Sequence, residues 1–229
     1  MSLRVLCDFD GTITKVDTAD AIFSAFAAPE WRRVEALWED GEIGSAECMR
    51  LQMELVEASL PELNAILDTL EIDPTFPAFS DFCRRNELEL VILSDGVDYF
   101  IRRILQRFQL QYLPVRANRL VQLGERRFSL AHPFSVKDCA SGAGTCKCAS
   151  AALDAADRRT VMIGDGRSDF CVSQEADLVF AKKSLLAYTR KQGIASVAYT
   201  DFNDIQAHLE QLLPEKALNL PIANFPLSA

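Results

Sequence analysis

The sequence has no apolar run near the ~18 residues that a membrane-crossing helix requires, and Met1 to Cys7 is too short to hold the apolar core of a signal peptide. No membrane partner is expected, and the chain reads as cytoplasmic. It also lacks a basic excess. With 24 lysines and arginines against 33 aspartates and glutamates, the net charge is −9, so no long-range field draws in nucleic acid. Histidine is scarce: His132 and His208 are the only two, and neither has a recognisable serine or cysteine partner motif, which disfavours histidine-based hydrolysis. Seven cysteines is an odd number in a chain long enough to fold without staples, and it fits free thiols in a reducing compartment better than a disulfide framework. Internal repeats and low-complexity tracts are missing too, which excludes a solenoid.

What is present is a 229-residue chain, 49% hydrophobic and 25% charged, with the proportions of a soluble globular domain. Short β-rich runs at 3–7, 88–93, 160–163, 178–181 and 196–199 alternate with helical periodicities. The alternation predicts an α/β fold, a Rossmann-like parallel sheet flanked by helices. Val97, Phe100, Ile101, Ile104, Leu105 and Phe108 trace a crossover helix, and residues 115–130 around Gly124-Glu125 read as a small hairpin.

Residues 14–78 show only helical patterns, over 17–27, 29–39, 45–58 and 61–70, with the Ser-x-x-Glu of a capping box at Ser59 to Glu62. That stretch is too long for an ordinary crossover. The expected division is an α/β core of residues 1–13 and 79–229 with an inserted helical subdomain of residues 14–78, and Pro74 and Pro77 mark the return.

The first strand runs into Asp8-Phe9-Asp10-Gly11-Thr12. Side chains alternate along a strand, so Asp8 and Asp10 project to one side. Two carboxylates held together at the end of an apolar strand repel each other, and a divalent cation such as Mg²⁺ relieves this. Another strand ends in Gly164-Asp165-Gly166-Arg167-Ser168-Asp169, and another in Ser94-Asp95-Gly96. Each alone is an ordinary turn sequence. Together they deliver three polar motifs to the carboxyl edge of one sheet, where open α/β folds bind ligands.

These segments, with Lys147, resemble the four motifs of the haloacid dehalogenase superfamily, and the insertion sits where its phosphoserine phosphatase-like branch carries a helical C1 cap. The resemblance implies a phosphatase acting on a small-molecule phosphate ester. Asp8 would be the nucleophile and Asp10 the general acid and base, with Lys147 holding Asp8 and the phosphate and Lys137 the alternative lysine. It implies Mg²⁺ on Asp8, Asp10 (through its carbonyl), Asp165 and Asp169, and phosphate contacts from Gly11, Thr12, Ser94, Asp95 and Gly96. Asp17 lies where that branch meets a substrate amino group, although it also suits a helix N-cap. The arginine that binds a serine carboxylate is replaced by Gln52, and Arg50 faces elsewhere.

Ile13-Thr14, Ala28-Pro29-Glu30-Trp31 and Gly144-Thr145-Cys146-Lys147-Cys148 most resemble the methionine-salvage phosphatases, which act on 2-hydroxy-3-keto-5-methylthiopentenyl-1-phosphate. Phosphoserine or another small metabolite is the alternative substrate, and a phosphomutase or a silent phosphate-binding module is an alternative function. A monomer or homodimer is expected. Met49, Met53, Trp31, Val34 and Trp38 form stripes that suit cap core or an apolar pocket wall. Cys139, Cys146 and Cys148 supply three local ligands, one short of a closed zinc site, and read as thiols.

Overall fold

The computed structural model describes residues 2–153 and 158–213. The sequence from Cys148 to Ala156 is alanine-rich and predicts a helix opened by Lys147; its last residues and the tail beyond Pro214 fall outside the described residues. β1 (Ser2–Cys7) is followed by four helices, α1 (Thr18–Phe26), α2 (Trp31–Glu39), α3 (Ser45–Glu54) and α4 (Leu60–Leu67). Then come α5 (Phe76–Arg85), β2 (Glu89–Val97), α6 (Asp98–Arg107), β3 (Val115–Gln122), β4 (Phe128–Ala131) and α7 (Lys147–Ala152). β5 (Arg158–Gly164), two single 3-10 turns at 167–169 and 172–174, β6 (Leu178–Ala181), α8 (Lys183–Gln192), β7 (Ser196–Ala198) and α9 (Phe202–Leu212) complete the order.

The seven strands form one sheet in the order β4-β3-β2-β1-β5-β6-β7, parallel except for β4, which pairs antiparallel with β3. Both faces of its centre are covered. On β1, Val5 and Cys7 enter the main core while Leu6 enters a second cluster with Val91, Leu93, Met162 and Val172. From Val5 to Cys7, from Leu90 to Leu93 and from Val161 to Ile163 the residues on both faces are apolar, which is why these stretches read as continuous hydrophobic runs. Among the described residues no helix is long and apolar enough to cross a membrane.

β2 runs past Leu93 to Val97, so Ser94-Asp95-Gly96 lies inside the strand rather than after it. Its register against β3 shifts between Leu93 and Val97, and such an irregularity re-aims side chains at a sheet rim. In the insertion, the expected capping contact at Ser59 is present, with its N–H and hydroxyl both donating to Glu62 at 2.7 Å. α5 begins at Phe76, before the expected return at residue 79. Phe76 packs edge-on and Phe79 tilted against Phe202 of α9, with ring centroids 4.9 and 5.2 Å apart.

Candidate active site

β1 lies between β2 and β5, so the carboxyl ends of these three strands meet. Cys7 is level with Ile92 and Ile163, and the next backbone N–H, that of Asp8, donates to the Ile163 carbonyl at 2.9 Å. The register therefore carries Asp8 beside Asp165 and Asp169, and all three carboxylates are buried with oxygens within 4.8 Å of one another. Lys147, at the start of α7, donates to Asp8 and Asp169 at 2.6 Å each and to Ser168 Oγ at 3.1 Å. Lys137 is not part of this cluster.

Burial opposes the charge on Lys147, but Asp169 and Asp8 more than offset it and raise its pKa. The Asp8 carboxyl is itself pushed up by burial and by Asp169, against the pull of Lys147. Asp165 pairs with Lys183 at 2.8 Å and accepts from Thr12 Oγ1 at 3.2 Å. Three carboxylates thus face two lysines. The surplus negative charge and all-oxygen donor set fit a hard divalent cation of the Mg²⁺ kind. Added Mg²⁺ is expected to raise Tm, by about 2.7 kcal/mol of stabilisation at a hundredfold excess over Kd. Thermal melts with and without chelator check this, and Asp165→Asn is expected to shrink the shift.

The Asp10 carboxylate is not part of that cluster, although it lines the same cavity as Asp8. It accepts from the Thr18 N–H at 2.8 Å and from Ser94 Oγ at 3.4 Å. Desolvation and then the charge of Asp17 push it up to about 7, a value suited to an acid that gives and retakes a proton at neutral pH. Gly96 is required by close approach, because a Cβ there would come within 2.5 Å of Asp10 Oδ2.

Three residues expected to contact phosphate make hydrogen bonds within the protein. The Gly96 N–H donates to Ser94 Oγ at 2.9 Å, the Thr12 hydroxyl goes to Asp165, and the Asp95 carboxylate is engaged by other protein groups. Asp17 caps α1, accepting from the N–H groups of Ala19 and Asp20 at 2.9 and 3.0 Å, and it also lines the cavity.

That cavity, about 320 Å³, lies between the strand ends and the helical insertion. Of the expected stripes, Trp38 and Met49 line it, whereas Met53 and Trp31 are core, with Trp31 packed 5.9 Å from Phe23. Gln52 is 1% exposed and donates to Glu35 at 2.6 Å, and Arg50 turns outward to pair with Glu54. Lys183, Glu35 and Arg167 were not anticipated from the sequence. Lys183 follows the end of β6 and so reaches the same sheet edge as the other motifs, a signal that was available. Arg167 lies over the Trp38 ring at 5.1 Å, a contact between distant segments with no local signal.

The sequence profile of the haloacid dehalogenase-like hydrolases matches residues 5–174. The chain belongs to that family. This hydrolase is 31% identical over 217 residues to the 2-hydroxy-3-keto-5-methylthiopentenyl-1-phosphate phosphatase of Brevibacillus brevis, covering 93% of this chain and 97% of the relative. It is 30% identical over 226 residues to the enzyme of the same name from Bacillus cereus, covering 95% and 100%. Its fold matches a substrate-bound phosphoserine phosphatase with a TM-score of 0.67 at 15% identity, over 91% of this chain and 98% of that one. The family and these relatives make it a phosphoric monoester hydrolase.

The cysteines are free, and Cys139 Sγ lies 3.4 Å from Ser141 Oγ and accepts from the Ala143 N–H at 3.5 Å. Metal analysis of tag-free protein is expected to find no stoichiometric zinc, because among the described residues no cysteines come together as a metal-binding group and a closed site needs four ligands.

Proposed function

We propose that the hydrolase removes phosphate from a small, largely apolar phosphomonoester, with 2-hydroxy-3-keto-5-methylthiopentenyl-1-phosphate as the substrate, and that residues 14–78 act as a specificity cap. The observation that carries the reaction is that Asp8 and Asp10 line one cavity, Asp8 in the metal-type cluster and Asp10 held by Thr18 and Ser94 outside it. Asp8 attacks phosphorus to give an aspartyl phosphate, and Asp10 protonates the leaving alcohol. Asp10 then takes a proton from the water that releases phosphate. Mg²⁺ would be held by Asp8, the Asp10 carbonyl and Asp165, and when bound it supplies positive charge that lowers the repulsion between carboxylate and phosphate. Lys147 holds Asp8 in place between turnovers, and Asp169 orients Lys147 while accepting the N–H groups of Asp165 and Gly166 at 3.1 and 3.2 Å.

The cap wall supports the substrate choice. Trp38 and Met49 offer apolar surface, and the position expected to carry a carboxylate-binding arginine holds Gln52, hydrogen-bonded to Glu35. Asp20 lies close enough that Glu35 and Asp10 add to its desolvation in raising its pKa. A substrate carboxylate would meet acids there, which disfavours phosphoserine. The deciding measurement is kcat/KM for the methylthiopentenyl phosphate and for phosphoserine under identical Mg²⁺. We expect at least a tenfold preference for the former, about 1.4 kcal/mol. Equal values or the reverse order defeat the substrate assignment and leave the phosphatase reaction standing.

A further inference from the structure

Asp95 lines the cavity, yet its carboxylate is used by the protein itself. Oδ2 accepts from the Ser45 hydroxyl at 2.5 Å, and Oδ1 accepts from the Thr145 N–H at 2.8 Å and from Asn118 Nδ2 at 3.3 Å. Asn118 Nδ2 also donates to the Asp95 carbonyl at 2.5 Å, and the His132 ring lies 2.8 Å from Asn118 Oδ1 through Nδ1, fixing the amide orientation. These partners come from separate parts of the fold. Ser45 is the first residue of α3 in the insertion, Asn118 is on β3, and Thr145 lies two residues before Lys147.

The backbone closes the same seam. The N–H groups of Ser45 and Ala46 donate to the carbonyls of Ser141 and Gly142 at 3.4 and 3.0 Å. A Cβ on Gly44 would stand 2.9 Å from the Gly142 carbonyl oxygen, so the two segments meet backbone to backbone. The loop that touches the insertion is thus the loop that delivers the lysine.

We propose that Asp95 is a positioning residue that couples seating of the helical insertion to the placement of Lys147, so that the cavity closes and the lysine reaches Asp8 together. This rests on the phosphatase reading above. A carboxylate is suited to the task because it accepts several hydrogen bonds at once, and charge-assisted bonds are stronger than neutral ones. Lifting α3 withdraws Ser45 from Asp95 and loosens the set that also holds Thr145. Closure and lysine placement then share one free energy.

The test is a double-mutant cycle on the full chain with Ser45→Ala, Asp95→Ala and the pair, plus Ser45→Thr, which keeps the hydroxyl. The readouts are kcat and KM for p-nitrophenyl phosphate with Mg²⁺, and intrinsic fluorescence on titration with Mg²⁺ and beryllium fluoride. Both tryptophans, Trp31 and Trp38, are on α2 of the insertion, so fluorescence reports its position. Ser45→Ala is expected to raise KM and the half-saturating fluoride concentration by about tenfold, the scale of one hydrogen bond to a charged group, with little change in kcat. Asp95→Ala is expected to lower kcat as well, the double variant to be no worse than Asp95→Ala, and Ser45→Thr to restore the Ser45 value. Ser45 is half-buried, so its variant keeps the test readable even if Asp95→Ala folds poorly. Additive losses, or a lowered Tm with wild-type kinetics and titrations, overturn the coupling. An inactive wild-type protein instead overturns the phosphatase reading, and the proposal with it.

Discussion

Asp8→Asn is expected to lower kcat by a factor on the order of 10⁴ or more, the scale of losing a covalent nucleophile. An amide cannot take up the phosphoryl group, and no other carboxylate replaces Asp8: Asp169 is tied to Lys147 and two backbone N–H groups, and Asp165 to Lys183. The fold is expected to survive. Asp8 and Asp169 repel each other in the buried cluster, and Asp169 keeps Lys147 paired once the Asp8 charge is gone. Tm without metal is therefore expected to be unchanged or raised, while the Mg²⁺-induced shift shrinks. Asp10→Asn contrasts with it. Metal and substrate still bind, and turnover falls by about 10²–10⁴, the usual worth of general acid–base catalysis. Steady-state kinetics with parallel melts check both, and near-normal turnover in Asp8→Asn would remove the nucleophile assignment.

Lys147→Met is expected to damage both activity and stability. The lysine is 1% exposed and sits 2.6 Å from each of two buried carboxylates, so removing it leaves Asp8 and Asp169 facing each other without compensation. Breaking a buried ion pair from one side costs about 3–5 kcal/mol, roughly 6–20 °C of Tm for a chain of this size. The dependence on conditions is the sharper part of the prediction. Asp8, already pushed above the ordinary carboxylate range, rises further without the lysine. A carboxyl whose folded pKa exceeds its unfolded value destabilises progressively as pH rises through that interval. The deficit relative to wild type is therefore expected to be smaller near pH 5 than near pH 8, and Mg²⁺ is expected to recover part of it. Melts of both proteins at the two pH values, with Mg²⁺ and with chelator, settle this. A variant as stable as wild type would show that Lys147 is not needed to balance the cluster.

The strand pattern was legible because the sheet is covered on both faces. Val5 to Cys7, Leu90 to Leu93 and Val161 to Ile163 are continuous apolar runs, and each is followed by the polar motif that reaches the site. The four helices of the insertion were legible from their periodicity and from the capping sequence at Ser59. The return to the core was less so, since Phe76 belongs to a helix whose position depends on Phe202, far away in sequence. Trp31 and Trp38 share a helix stripe, and contacts distant in sequence separate them: Trp31 packs against Phe23 in the core, and Trp38 lies under Arg167 at the cavity.

By itself the sequence determined the acids of Asp8, Asp10, Asp165 and Asp169 at strand ends, because strand alternation and apolar patterning are local properties that adjacent residues specify. Tertiary structure alone decided how the polar groups are shared. Asp10 turns to Thr18 and Ser94, Thr12 turns to Asp165, and Asp95 gathers Ser45, Asn118 and Thr145. A hydrogen bond depends on positions fixed to within a few tenths of an ångström by strand register, by the irregularity after Leu93 and by the seating of α3. Those are set by contacts between segments distant in the chain, which leave no mark in the spacing of the residues that use them.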